Sequence, residues 1–150
     1  MKLDELGYKF ITKHEGLSLK PYLCPAKIPT IGYGNTYYPD GKRVTLLDKP
    51  ISKAQALEMF KYIADRFALR VDKLVTANIT QNQFNALVSF AYNVGTANFE
   101  KSTLLKKVNE NPNDFEIRQE FAKWVKAGGK KLNGLVNRRS EESALYYTAN

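Results

Sequence analysis

The chain has 150 residues, a length at which one domain buries roughly 68–70% of its unfolded surface and needs no covalent staples. Its single cysteine, Cys24, excludes an internal disulfide, and no apolar run approaches the roughly 20 residues of a membrane-spanning helix, so a soluble chain is expected. The formal charge of +8 implies attraction to a polyanion and leaves nucleic acid, anionic membrane and anionic cell wall open as partners. Asp4 and Glu5 occupy the place where the apolar run of a signal peptide would lie, so no secretion signal is predicted.

In chain order, Leu3, Leu6, Phe10 and Ile11 recur at helical spacing and predict an amphipathic helix from residue 3 to about residue 14, ending near Gly16. Between Lys20 and Thr45 the helical period gives way to Pro21, Pro25, Pro29, Gly32, Gly34, Pro39 and Gly41, which predict a small hairpin or meander with a turn at Pro39-Asp40-Gly41-Lys42. Ser52 with Gln55 has the form of a capping box and opens a helix of roughly six turns at about 3.6 residues per turn, carrying Phe60, Phe67 and Val71. Thr80 with Gln83 repeats the pattern before a core helix closed by Gly95. Ser102 caps a short helix through Leu105 and Val108. Phe115 to Val125 form another, stopped by Gly128-Gly129. After a basic loop, Leu135 to Tyr147 form the last.

These elements predict an α+β fold, mostly helical, in one domain spanning 1–150. Its small lobe, about residues 15–60, carries the hairpin. A long helix joins it to a helical lobe of about residues 75–150 plus the N-terminal helix. A cleft between two such lobes is the expected place for a site.

Within the irregular stretch, Glu15, Cys24 and Thr30 are polar side chains set among residues that favour turns or extended backbone, and they mark the expected working centre. At a helix C-terminus, Glu15 faces the negative end of the dipole, which disfavours ionisation, the direction a general acid needs. The run His14-Glu15-Gly16-Leu17, then Tyr22, Cys24 and Thr30-Ile31-Gly32-Tyr33-Gly34, resembles the phage-type lysozyme family of muramidases, which includes many endolysins. The likeness continues through Thr80 with Gln83, Phe90 with Asn93 and Gly95, Phe99 with Ser102-Thr103-Leu104, Trp124 with Ala127-Gly128-Gly129, and Gly134-Leu135-Val136-Asn137-Arg138-Arg139.

The resemblance implies a lysozyme-like fold and hydrolysis of the β-1,4 bond between N-acetylmuramic acid and N-acetylglucosamine in peptidoglycan. Its catalytic pattern of Glu, Asp or Cys, and Thr falls on Glu15, Cys24 and Thr30, with Glu15 as general acid and Thr30 helping to hold the attacking water. Three readings of Cys24 stand: a thiolate base, a nucleophile at carbon, or a thiol that only shapes the water site. The resemblance makes Arg138 the partner of Glu15, while Arg139 is expected to bind Glu142 on the same helix. Asn93 matches an amide that bonds a sugar's N-acetyl group. Tyr33 and Phe99 are sugar-facing or core aromatics, and Trp124 is assigned to the core. Asn35 stands where a histidine is common in the family. With His14 the only histidine, no metal and no cofactor are expected.

The leading expectation is a monomeric endolysin that binds bacterial peptidoglycan, with no specific nucleic acid and no integral membrane span. It would be held in the host cytoplasm until holin-dependent release to the wall. The alternatives are a catalytically weakened peptidoglycan-binding module, which Cys24 makes thinkable, and a lytic transglycosylase. A nucleic-acid binder is suggested only by the cluster Lys126, Lys130, Lys131, Arg138 and Arg139.

Overall fold

A computed structural model describes residues 1–150. It has seven helices and two small antiparallel sheets: α1 (Glu5–His14), β1 (Ser18–Leu23), β2 (Pro29–Gly32), α2 (Lys53–Leu74), α3 (Gln81–Val94), α4 (Thr96–Lys101), α5 (Thr103–Glu110), α6 (Ile117–Ala122), β3 (Lys126–Ala127), β4 (Lys130–Lys131) and α7 (Asn133–Tyr146). The fold is α+β and mostly helical, as expected. No helix is long and apolar enough to cross a membrane.

The chain divides into two compact units, one of Tyr8–Arg66 and one of Met1–Gly7 with Phe67–Asn150. Helix α2 begins in the first and ends in the second, and α1 gives its first three residues to the second and the rest to the first.

In the Tyr8–Arg66 unit the core gathers Ile31, Val44 and Met59, with Tyr38 and Ile51 packed on them. The Phe60 ring meets Tyr8 and Tyr33 edge-on at 6.3 and 5.7 Å. The predicted capping box starts α2: the Ser52 N–H donates to Gln55 Oε1 at 2.8 Å and the Gln55 N–H to Ser52 Oγ at 3.1 Å. Strand β1 pairs antiparallel with β2, Tyr22 opposite Thr30, and a register shift between Ser18 and Tyr22 absorbs Pro21, which has no N–H for the ladder.

The second unit is built around α3, whose residues from Asn82 to Ala91 are all buried, as a helix wrapped on every side must be. Its Thr80–Gln83 capping box is complete. Phe90 receives the edges of Phe99, Phe121 and Trp124 at 5.6–6.2 Å, and the half-buried Trp124 thus contributes to the core as assigned. Gly7 lies against Asn85 so closely that a Cβ there would stand 2.6 Å from its Oδ1. Asn85 in turn donates to Asp4 at 2.8 Å.

Two expectations on this unit need correction. The helix predicted from Phe115 to Val125 is only Ile117–Ala122, because its flanks close in i→i+3 bonds: Ile117 to Asp114, Arg118 to Phe115, and Trp124 to Phe121. Gly128 and Gly129 do not stop a helix; they turn a hairpin. Both have positive φ, 59° and 77°, as the two-residue turn between β3 and β4 requires. Helix α4 is an addition that no sequence signal announced.

Candidate active site

Glu15 lies one residue beyond α1, half-buried, its N–H donating to the Thr12 carbonyl at 3.1 Å. Gly34 faces it: a Cβ built there would stand 3.8 Å from Glu15 Oε2, and φ of +85° further favours glycine. Gly34 sits in a three-residue loop closed by reciprocal backbone bonds of 2.9 Å between Ile31 and Asn35, and Gly32 (φ +67°) begins that loop. Asn35, at the position where the resembled family commonly has histidine, is thus fixed by its backbone.

Cys24 and Thr30 belong to one hairpin. Cys24 follows β1, and its N–H donates to the Ile28 carbonyl at 3.1 Å, while Lys27 N–H donates to the Cys24 carbonyl at 2.7 Å. The second hairpin repeats this wiring, with Tyr38 N–H to Lys42 and Gly41 N–H to Tyr38, both at 2.9 Å. Each loop has Pro in its first seat, Pro25 or Pro39, and a left-handed residue in its third. In the second that residue is Gly41; in the first it is Lys27, at φ 62°. The left-handed conformation costs a side-chain-bearing residue roughly 1–2 kcal/mol, partly offset by the greater entropy that glycine loses on folding. Lys27→Gly is therefore expected to stabilise the chain by about 0.5–1 kcal/mol, read as a higher urea midpoint. A lower midpoint would place a stabilising contact on the lysine side chain.

The loop also sets the state of the thiol. The Ile28 N–H donates to the sulfur and pulls the Cys24 pKa below its usual value; partial desolvation opposes this, and the Ala26 N–H and the Thr30 hydroxyl help it. Thr30 is buried, and its Oγ donates to the Ile28 carbonyl at 2.8 Å. A hydroxyl has one proton, so that bond and donation to the sulfur are alternatives, and forming the thiolate favours the second. The folded pKa being the lower, stability gained from the thiolate is present above the unfolded thiol's pKa and is lost as pH falls through the folded value. Iodoacetamide labelling of the native chain should therefore rise with a midpoint below that of the urea-unfolded chain. Equal midpoints would mean that the loop donors have no effect on the sulfur.

Tyr33 is buried with its ring edge against Phe60, a core placement, and Phe99 is likewise buried against Phe90. The structure therefore brings Glu15, Cys24, Thr30 and Tyr33 into one unit, Tyr8–Arg66, and places Asn93, Arg138 and Arg139 in the other.

In that other unit a buried polar cluster centres on Glu142. Its Oε1 pairs with Arg139 Nε at 2.7 Å, as expected, and its Oε2 accepts from Ser89 Oγ at 2.6 Å and from Arg138 Nε at 3.3 Å. Arg138 also donates to the Ser89 carbonyl at 3.1 Å. Burial pushes the Glu142 carboxyl up, against the pull of both guanidiniums. Arg139 Nη2 donates to Asn93 Oδ1 at 2.8 Å, and since a guanidinium can only donate, this fixes the exposed amide with its NH₂ as the uncommitted group. Arg138 and Arg139 are 4% and 1% exposed, which removes two of the five cations from the basic surface that suggested nucleic-acid binding. Sequence reasoning named Gly34 only as a turn former and part of the motif and missed its place against Glu15, and it missed Ser89 and the sharing of Glu142. A glycine in the loop after the acid was the available signal for the first, and residue spacing alone marks neither of the others.

Residues 12–142 match the family described as phage lysozyme. The endolysin of Bacillus phage PZA is 40% identical over 148 residues, 97% of this chain and 55% of that protein, so the chain spans about half that relative's length. Among solved structures, the endolysin from Escherichia coli O157:H7 phage FAHEc1 superimposes with a TM-score of 0.89 at 36% identity, covering 98% of this chain and 94% of that one. The muramidase domain of SpmX from Asticaccaulis excentricus superimposes at 0.83 with 29% identity and 99% of both chains covered. With its Glu15 motif, its hairpin and nearly its whole length inside that match, the chain belongs to the phage lysozyme family.

Proposed function

We propose that the chain is an endolysin that hydrolyses the β-1,4 bond between N-acetylmuramic acid and N-acetylglucosamine in bacterial peptidoglycan, with Glu15 as general acid. The observation that carries this reading is the seating of the Glu15 carboxylate against Gly34, in the loop that continues from β2 and Thr30, with Cys24 at the other end of the hairpin. Family membership and the similarity to a muramidase domain support it further. Glu15 protonates the departing glycosidic oxygen as positive charge develops at the anomeric carbon. Thr30 and Cys24 hold the attacking water. Arg138 is assigned as the partner of Glu15 on the resemblance alone, and Arg138→Lys, which keeps the charge, is expected to retain more activity than Arg138→Met. Asn93 has an amide NH₂ left to donate to an N-acetyl oxygen.

In this reading the protein works as a monomer without a cofactor, its +8 charge draws it to the anionic wall, and release from the host cytoplasm depends on a holin. The primary test is loss of turbidity in chloroform-treated Gram-negative cells, with release of reducing ends from purified sacculi. Binding to sacculi with no reducing ends released would favour a wall-binding module instead. One observation favours a second reading: the hairpin presents a thiol where hydrolysis by inversion uses a carboxylate base. Product mass spectrometry separates the two, since a reducing muramic acid means hydrolysis and a product lighter by one water means transglycosylation.

Cys24→Ser is expected to lower activity by less than the roughly 10²-fold that loss of a general base brings, and Cys24→Asp to be tolerated. A folded but inactive Cys24→Ser would make the sulfur chemically essential.

A further inference from the structure

We propose that a cavity formed by α6, the β3–β4 hairpin and α7 binds a small single-chain anionic amphiphile, its tail within the cavity and its head on Arg118 and Lys131. The cavity has a volume of about 580 Å³, within the range of small-molecule sites. Its walls are mostly apolar, with Ser140 and Ser143 on the lining beside Ala122, Val125, Val136, Ala144 and the ring pair Phe115–Tyr147. These rings stack at 5.8 Å and 23°, and Phe115 is 72% exposed. Tyr147 is held by its hydroxyl, which donates to the Asp114 carbonyl. A large ring kept flat against its neighbour while open to solvent is a surface shaped for an apolar partner.

Charge decides what kind of partner. Three cations line the cavity, Arg118, Lys131 and Arg139, and no carboxylate does. Arg139 is committed to Glu142 and Asn93, whereas Arg118 and Lys131 are uncommitted. The carboxylate of Asp114, whose carbonyl holds the Tyr147 hydroxyl, accepts from the Glu116 N–H at 2.9 Å. A neutral hydrocarbon would cover the walls yet leave both cations without a counter-charge. A polyanion would satisfy the cations and leave the apolar walls wet. An amphiphile with one anionic head answers both, through charge-assisted hydrogen bonds to the two cations. The cavity shares no residue with Glu15, Cys24 or Thr30, and the proposal does not depend on the lytic reading.

The test is calorimetry on the full chain with decanoate, below its micellar concentration, as the probe. One saturable site is expected. Decanol should bind about tenfold more weakly, as loss of one charge-assisted hydrogen bond implies, and decyltrimethylammonium should not bind. Arg118→Glu with Lys131→Glu should weaken decanoate by at least about tenfold. Ala144→Trp, a substitution at an exposed position that fills the cavity, should abolish binding with the melting temperature retained. The proposal is overturned by the absence of a saturable site, by decanol binding as tightly as decanoate, or by decanoate binding undiminished in folded Ala144→Trp. Binding to phosphatidylglycerol vesicles by a wild-type chain that shows no saturable decanoate site would assign the cations to a flat surface attraction and overturn it too.

Discussion

Glu15→Gln is expected to cut lytic activity by at least about 10²-fold, the low end of what a lost general acid causes, while the melting transition stays cooperative. Glutamine keeps the length, the planarity and one carbonyl oxygen, so Gly34, with its place for a Cβ only 3.8 Å from Oε2, accommodates it without crowding. What it lacks is a proton that can be delivered to the glycosidic oxygen, and without that delivery the sugar must leave as an alkoxide. Turbidity loss and reducing-end release should fall together. A folded Glu15→Gln chain that lysed cells at a rate near that of the wild type would show that the acid is elsewhere. The substitution is informative because it separates shape from proton transfer. A simultaneous collapse of the melting transition would instead assign Glu15 a structural role.

The parts of this molecule that were legible in the sequence are those whose physics is local. Ser52 with Gln55 and Thr80 with Gln83 announce helix starts because both halves of each capping box lie within one turn. The loop of Pro39, Asp40 and Gly41 was readable because proline and glycine impose their own dihedrals. Its twin at Cys24 was hidden because a lysine takes the left-handed seat. The β3–β4 hairpin was hidden for a different reason: strands of two residues carry no alternation, and paired glycines end helices as readily as they turn hairpins.

The candidate site divides along the same line. Cys24 and Thr30 share a hairpin six residues apart, so their meeting is close to a local event. The tie of Asn93 to Arg139 spans 46 residues, and the burial of Arg138 and Arg139 depends on Ser89 and Glu142. Read along the chain, two adjacent arginines after a run of lysines mean a basic surface. Only the packing of α7 on α3 turns them inward.

Glu142→Leu is expected to destabilise the chain by about 3–5 kcal/mol, the cost of breaking a buried ion pair by removing one partner. In a domain of this size that corresponds to a fall in melting temperature of roughly 10 °C. The carboxylate is fully buried and is shared by two guanidiniums at i−3 and i−4 on the same helix and by the Ser89 hydroxyl. Leucine fills most of the volume, so a cavity contributes little and the loss comes from charge left buried. Glu142→Gln should cost less, because one carbonyl oxygen remains to accept from Arg139 or Ser89. The combination of Glu142→Leu with Arg139→Met should recover part of the loss, since a cluster with fewer stranded charges is cheaper to bury than a broken one. Arg138 keeps its donation to the Ser89 carbonyl in every variant. A Glu142→Leu chain melting within a few degrees of wild type would mean that water reaches the guanidiniums and that the cluster is less dry than its burial implies.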